Sequence, residues 1–183
     1  MRKILGALSL SSALIFTLAV HAAAPANFAG TWTLDKSKSQ GLNPRLQGAD
    51  SVTWTITQTD KTITVEEKVA GGQMAAGPGG GAGGQGGGRG GMGMGGPRTF
   101  NLDGTETTAD LGRGKVARKA TWSGDGKTLE LVSKTTFQGQ DGNEVTSTTT
   151  EKLAVSGDGK VLTVTRHSEG PRGPQDSTYV FTK

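Results

Sequence analysis

Hydrophobic and polar residues alternate along most of the chain after residue 27, with the two-residue period of a β-strand. In the first such run, Phe28, Gly30, Trp32 and Leu34 share one face. No segment repeats its apolar residues with the 3.6-residue period of a helix. The pattern predicts nine or ten strands, over residues 28–34, 52–58, 62–69, 98–102, 105–110, 115–122, 128–137, 144–155, 161–168 and 175–183.

Most of these strands are joined by short turns. The string Ser-Gly-Asp-Gly-Lys occurs at 123–127 and at 156–160, which indicates one hairpin design used twice. Asp103-Gly104 predicts a tight hairpin turn between strands 98–102 and 105–110. Successive strands without helices predict an all-β, antiparallel up-and-down meander, and closure into a barrel would remove its unpaired edges. A β-sandwich is the alternative architecture.

The N-terminus reads as a secretory signal peptide over residues 1–22. A positive start at Arg2 and Lys3 is followed by an apolar run and then by small residues, with the cut expected after Ala22. An uncleaved membrane anchor is the alternative, but the run is short for a spanning helix, which needs about 20 apolar residues. We therefore expect an exported protein, periplasmic or extracellular, with no membrane span after cleavage.

A glycine-rich tract interrupts the barrel domain, which we place at residues 27–183. Sixteen glycines lie between Gly71 and Gly96. The tract has no apolar periodicity, so it cannot bury enough surface to offset the entropy of ordering, and residues 71–97 are predicted to form a flexible loop. Its methionines, Met74, Met92 and Met94, are soft ligands suited to Cu(I), but they lack histidine or cysteine support, so we expect no metal site.

Composition argues against several other functions. The chain has no cysteine, and its net charge of +4 falls to +2 without Arg2 and Lys3, which is too little to indicate nucleic-acid binding. His167 faces outward and Gly-x-Ser-x-Gly is absent, while Glu67, Glu151 and Asp110 are more simply read as partners of arginines. We expect a monomer without enzymatic activity or cofactor.

The face that carries Trp32 predicts the character of the barrel interior. Near the two repeated turns this face is apolar, with Trp122 and leucine and valine residues. Farther from those turns it carries charged and hydroxyl residues, which form the candidate ligand-binding set: Glu67, Arg118, Ser133, Thr149, Glu151 and Arg166. Strand direction places the connection 35–50, the glycine tract and the loop near Gly139 at this polar end.

Two functions fit this interior. An apolar floor below a polar lumen with long loops at the mouth is typical of a barrel that holds a small polar or amphipathic molecule. The alternative is an envelope or interaction protein whose barrel is filled and whose buried charges only neutralise one another.

The opening Asn27-Phe28-Ala29-Gly30-Thr31-Trp32 resembles the Gly-x-Trp start of lipocalins and related barrels. Over most of residues 27–183 the chain is similar to bacterial secreted lipocalin-like proteins of unassigned function. The shared stretches are Phe28 to Ser37, Trp122 before a turn, and Asp158 to Arg166. The resemblance implies structural roles for Gly30, Trp32 and Trp122, and an arginine, here Arg166, that packs across Trp32 to close the barrel floor.

Overall fold

Ten β-strands and one short helix make up the computed structural model, which describes residues 24–71, 96–112, 114–139 and 142–183. The predicted signal peptide, Met74, Met92, Met94 and nearly all of the glycine tract lie outside the described residues. The elements in chain order are β1 (Gly30–Leu34), α1 (Pro44–Gly48), β2 (Ser51–Gln58), β3 (Thr62–Ala70), β4 (Arg98–Asn101), β5 (Thr107–Asp110), β6 (Gly114–Trp122), β7 (Thr128–Gln138), β8 (Glu144–Val155), β9 (Val161–Glu169) and β10 (Gln175–Thr182).

All ten strands belong to one antiparallel sheet. Its order is β4-β3-β2-β1-β10-β9-β8-β7-β6-β5. Consecutive strands therefore pair throughout except β4 with β5, and β1 pairs with β10 to join the two halves. The sheet curls into a nearly closed barrel around a single apolar cluster. The predicted all-β, lipocalin-like barrel is therefore confirmed.

The predicted hairpin at Asp103-Gly104 is wrong, because β4 and β5 lie at opposite edges of the sheet. Asp103 Oδ1 instead accepts hydrogen bonds from both the backbone N and the Oγ1 of Thr105, which turns the chain across a five-residue connection. A side chain bridges the resulting seam: Thr107 Oγ1 on β5 donates to the carbonyl oxygen of Thr99 on β4 at 3.5 Å. Between these two described strands the barrel closes without a backbone ladder.

Helix α1 lies in the connection 35–50, where the sequence indicated only a polar loop. Asn43 caps it by accepting a hydrogen bond from Leu46 N at 3.0 Å, and Pro44 occupies its first turn. Lys36 Nζ donates to the carbonyl oxygens of Gln47 and Ala49 at its end. A helix of five residues is too short to show periodicity; its single buried side chain, Leu46, attaches it to the core.

The two Ser-Gly-Asp-Gly-Lys turns have the same hydrogen bonds. Ser123 Oγ donates to Asp125 Oδ1 at 2.6 Å, and Ser156 Oγ donates to Asp158 Oδ1 at 2.5 Å. Each serine Oγ also accepts the backbone N–H that starts the next strand, at 2.9 Å in both cases. These two turns, together with the turn at 59–61 and the end of β10, form the floor of the barrel.

Trp32 is the centre of the floor. Its side chain is fully buried, and its Nε1 donates to the carbonyl oxygen of Phe28 at 2.8 Å. Phe28 in turn stacks on Trp122, with ring centroids 5.9 Å apart. The segment 24–29 thus packs across the floor, and the hydrogen bond from Ala26 N to Gly126 O holds it in place.

The cation that covers Trp32 is Lys183, and the predicted placement of Arg166 there is wrong. Lys183 Nζ lies 4.2 Å from the centroid of the indole ring and donates to the carbonyl oxygen of Ala29. A Cβ at Gly30 would lie 2.7 Å from Lys183 Cε, and the φ of Gly30 is +138°, so glycine suits this position on both grounds. Arg166 instead lies on the mouth side of the floor, where its Nε is 3.9 Å from Oε1 of the buried Glu151.

Candidate functional site

The predicted site residues lie on the inner face of the barrel, on the mouth side of the floor. Cross-strand pairing aligns Arg118 with Ser133, Ser133 with Thr149, and Glu151 with Arg166. Glu67 lies on β3, on another part of the barrel wall, where it is the cross-strand neighbour of Trp54 on β2. We call the inward-facing residues Glu67, Arg98, Arg118, Ser133, Thr149, Glu151 and Arg166 the polar half of the lumen.

Glu151 is the most deeply buried charge, with 2% of the residue exposed. Arg98 Nη1 donates to its Oε2 at 2.6 Å, and Arg166 Nε lies 3.9 Å from its Oε1. A buried carboxylate needs such compensation, because removing a charge from water costs several kcal/mol. Glu151 therefore holds β4 and β9 to β8 from inside the barrel.

Arg166 is a partly buried cation that stays charged. Its Nη1 donates to Tyr179 Oη at 3.3 Å. Burial acts to lower its pKa, but the charge of Glu151, followed by Tyr179 and Glu67, outweighs burial and raises the pKa of Arg166. Its Nε is nevertheless buried without a hydrogen bond among the described residues.

Glu67 and Arg98 both contact the indole ring of Trp54. The indole Nε1 of Trp54 donates to Glu67 Oε2 at 3.0 Å. The guanidinium of Arg98 lies over the same ring, 5.3 Å from its centroid. Trp54 thus holds one carboxylate and one guanidinium group inside the barrel.

Arg118 differs from the other two arginines because its charged neighbour is another cation. Burial, and then repulsion by Arg98, lowers the pKa of Arg118. Its Nε is buried without a hydrogen bond among the described residues, and no carboxylate in that part of the chain forms an ion pair with it. The polar half therefore contains one cation whose charge no described carboxylate compensates through an ion pair.

Hydroxyl groups surround this cation. Ser133 is its cross-strand neighbour on β7, and Thr107 is its neighbour on β5. One strand farther, Thr149 and Ser168 share a hydrogen bond between their hydroxyl oxygens at 3.2 Å. These groups can donate to or accept from a bound molecule.

A cleft of about 580 Å³ lies at the mouth end of β5 to β8, and it includes outward-facing side chains as well as inward-facing ones. Its lining includes Asp110, Gly114, Lys115, Phe137 and Glu144. Gly114 and Phe137 occupy inward-facing positions paired across β6 and β7. The volume falls within the range of about 300–1,000 Å³ that small-molecule sites occupy.

The mouth is not polar all round. On the β1–β2 side, Leu34, Val52 and Leu46 are buried in the core cluster, so α1 and the connection 35–50 cover that wall with apolar side chains. The predicted polar end thus applies to the β6–β9 side only. A molecule entering from the mouth would meet charges on one wall and apolar groups on the other.

Sequence reasoning missed Arg98, Trp54 and Tyr179 as members of this site. Alternation does place Arg98 on the face of Phe100, and Trp54 was assigned only to a strand face. The alternation pattern therefore indicated that Arg98 faces inward. Strand order and register across the barrel are needed to show that it contacts Glu151, 53 residues away in sequence.

Other chemistry is sparse in the described ranges. Within them no group of three or more histidine, cysteine, aspartate or glutamate side chains is placed to hold a metal ion. No helix there is long and apolar enough to cross a membrane. His167 faces outward, as predicted, and contacts Asp176 at 2.6 Å and Glu169 at 3.3 Å.

The fold and this charged interior define a lipocalin-like barrel. No protein-family model matches the chain, and no curated protein matches it either. The solved structure of zebrafish ileal bile acid-binding protein complexed with cholic acid is similar in structure, with a TM-score of 0.44 and 14% sequence identity. The match covers 85% of this chain and 98% of that one, but it is weak, and the fold assignment rests on strand order and register.

Proposed function

We propose that the protein is an exported, monomeric binding protein that holds a small polar or amphipathic molecule in the lumen. The observation that carries the proposal is the pair of buried guanidinium Nε atoms, on Arg118 and Arg166, without hydrogen-bond partners among the described residues. An unpaired buried donor costs about 1–3 kcal/mol, and a molecule bound in the lumen would supply the missing hydrogen-bond acceptors.

The surroundings favour an amphipathic ligand. The polar half supplies charges and hydroxyls on β6 to β9, whereas Phe137 and the wall of β1 and β2 supply apolar surface. The carboxylates of Glu67 and Glu151 are each engaged by donors from the protein, which favours binding over acid–base chemistry at either of them. The protein would therefore carry its ligand unchanged.

Native mass spectrometry of protein purified from its own host tests this function. We expect a bound small molecule in the wild type and its loss in Ser133→Trp, which places an indole in the polar half. Lys134→Trp is the matched control, because Lys134 is the next residue on β7 and faces solvent.

Wild-type protein without a bound molecule, or equal occupancy in both variants, would contradict a lumen site and favour the filled-barrel alternative. The same spectra test export, since removal of residues 1–22 would leave a chain that begins at Ala23.

A further inference from the structure

Arg118 carries a positive charge that the polar half does not balance. Three arginines and two glutamates occupy its inward-facing positions, which leaves an excess of one positive charge among the described residues. Glu151 is already bound by Arg98 and approached by Arg166. Glu67 accepts from Trp54 and attracts Arg166. Both carboxylates therefore already interact with other side chains, and Arg118 has no ion-pair partner among the described residues.

The position of Arg118 suits contact with a ligand. It lies on the inner face of β6, two inward-facing positions from Gly114 at the mouth end of the strand, with the buried Val116 between them. The residue is half-buried, so water screens its charge less than it would at the surface. Ser133 and Thr107 flank it with hydroxyl groups that can donate to the same oxygen atoms.

We propose that the bound molecule carries an anionic group, such as a carboxylate, sulfonate or phosphate, and that Arg118 is its receptor. The inference rests on the proposed function, since it names the class of ligand for the same lumen. A guanidinium presents a planar fork of donors that matches such oxygens. The anion would satisfy the Nε of Arg118 and balance the excess charge, while the rest of the molecule would lie toward the cleft and Phe137.

Two dyes with one ring skeleton test the charge requirement. 1-Anilinonaphthalene-8-sulfonate carries a sulfonate that N-phenyl-1-naphthylamine lacks, and both gain fluorescence on binding. We would titrate each dye into the full chain, into Arg118→Gln and Arg118→Lys, and into Lys119→Gln. Lys119 is the matched control, because it follows Arg118 on β6 and faces solvent.

Arg118→Gln should weaken binding of the sulfonated dye about tenfold and leave the neutral dye unchanged, because a charge-assisted hydrogen bond is lost. Arg118→Lys should keep most of the preference, and Lys119→Gln all of it. Circular dichroism would verify that the variants are folded.

Equal effects of Arg118→Gln on both dyes, or no effect on either, would overturn the anion inference and leave a neutral lumen ligand intact. Failure of both dyes to bind, or binding that Ser133→Trp does not reduce, would overturn the lumen site itself.

Discussion

The floor and the polar half of this barrel are formed by the same strands, yet they handle burial in different ways. At the floor, Trp32 has its indole N–H bonded to Phe28 and its ring covered by Lys183. In the polar half, by contrast, two arginine Nε atoms are buried without a hydrogen-bond partner among the described residues. The floor satisfies these polar groups from within the chain, whereas the polar half leaves two donors unsatisfied among the described residues.

The contrast separates stability from function along the strands. Along β6, Ala120 is fully buried at the floor and Arg118, two residues away, is left unbalanced. Along β8, Leu153 is fully buried and Glu151 is the buried carboxylate above it. Substitutions on the floor side should therefore affect unfolding, whereas substitution of the unbalanced Arg118 should affect binding.

The largest effect is expected at the floor. Trp32→Ala removes a fully buried ring and its hydrogen bond, so the free energy of unfolding should fall by about 4 kcal/mol. Urea denaturation followed by circular dichroism measures this. Trp122→Ala is the comparison, because Trp122 lies only partly buried against Phe28 and should cost less. A smaller loss for Trp32 than for Trp122 would mean that Trp32 is not the centre of the floor.

Glu151→Gln tests the junction between the two regions. It leaves Arg98 and Arg166 without a buried counter-charge, so the free energy of unfolding should fall by about 3 kcal/mol. The same change increases the positive charge of the lumen, and the sulfonated dye should bind more tightly. Stability measured by urea denaturation and affinity measured by dye titration should move in opposite directions. A stable variant with unchanged dye affinity would contradict the charge balance described for the lumen.

Arg118→Gln should have the opposite and smaller effects, weaker binding of the sulfonated dye without a loss of stability. Because Arg118 has no acid partner among the described residues and is repelled by Arg98, its removal should leave stability unchanged or raise it by up to about 1 kcal/mol. Arg98→Gln is the control, since it breaks the hydrogen bond to Glu151 and should destabilise the protein. If urea denaturation shows that both variants lose stability equally, Arg118 is a structural residue.

The smallest effect is expected outside the barrel, at His167. Its hydrogen bond to Asp176, followed by that to Glu169, raises its pKa above the ordinary 6.5. The stabilisation is therefore fully present below pH 6.5 and is lost as the pH rises through the raised folded value. Urea midpoints measured from pH 5 to 9 should decline in this window more for the wild type than for His167→Gln. Dye binding should be the same in both, because His167 faces away from the lumen.

Sequence alone predicts most of the fold, because alternation and turn chemistry are local. The faces of Trp32, Arg118, Glu151 and Arg166 follow from period-two counting, and the twin turns follow from a repeated string. The sequence did not predict that β4 and β5 are unpaired, because an Asp-Gly pair also suits the longer turn that Asp103 makes with Thr105.

The candidate site was predicted only as a set of inward-facing residues. Which groups pair depends on strand order and register across the barrel, so the link from Arg98 to Glu151 and the isolation of Arg118 needed the structure. The cover of Trp32 by Lys183 likewise required the β1–β10 pairing, which brings the last residue of the chain next to the first strand.

A crystal structure of the full chain with bound 1-anilinonaphthalene-8-sulfonate tests the central claim most directly. We expect the sulfonate in the polar half, with an oxygen about 2.7–2.9 Å from the guanidinium of Arg118, and the rings directed toward Phe137. A dye bound at the floor or on the outer face of the barrel, with Arg118 still unpaired, would contradict it.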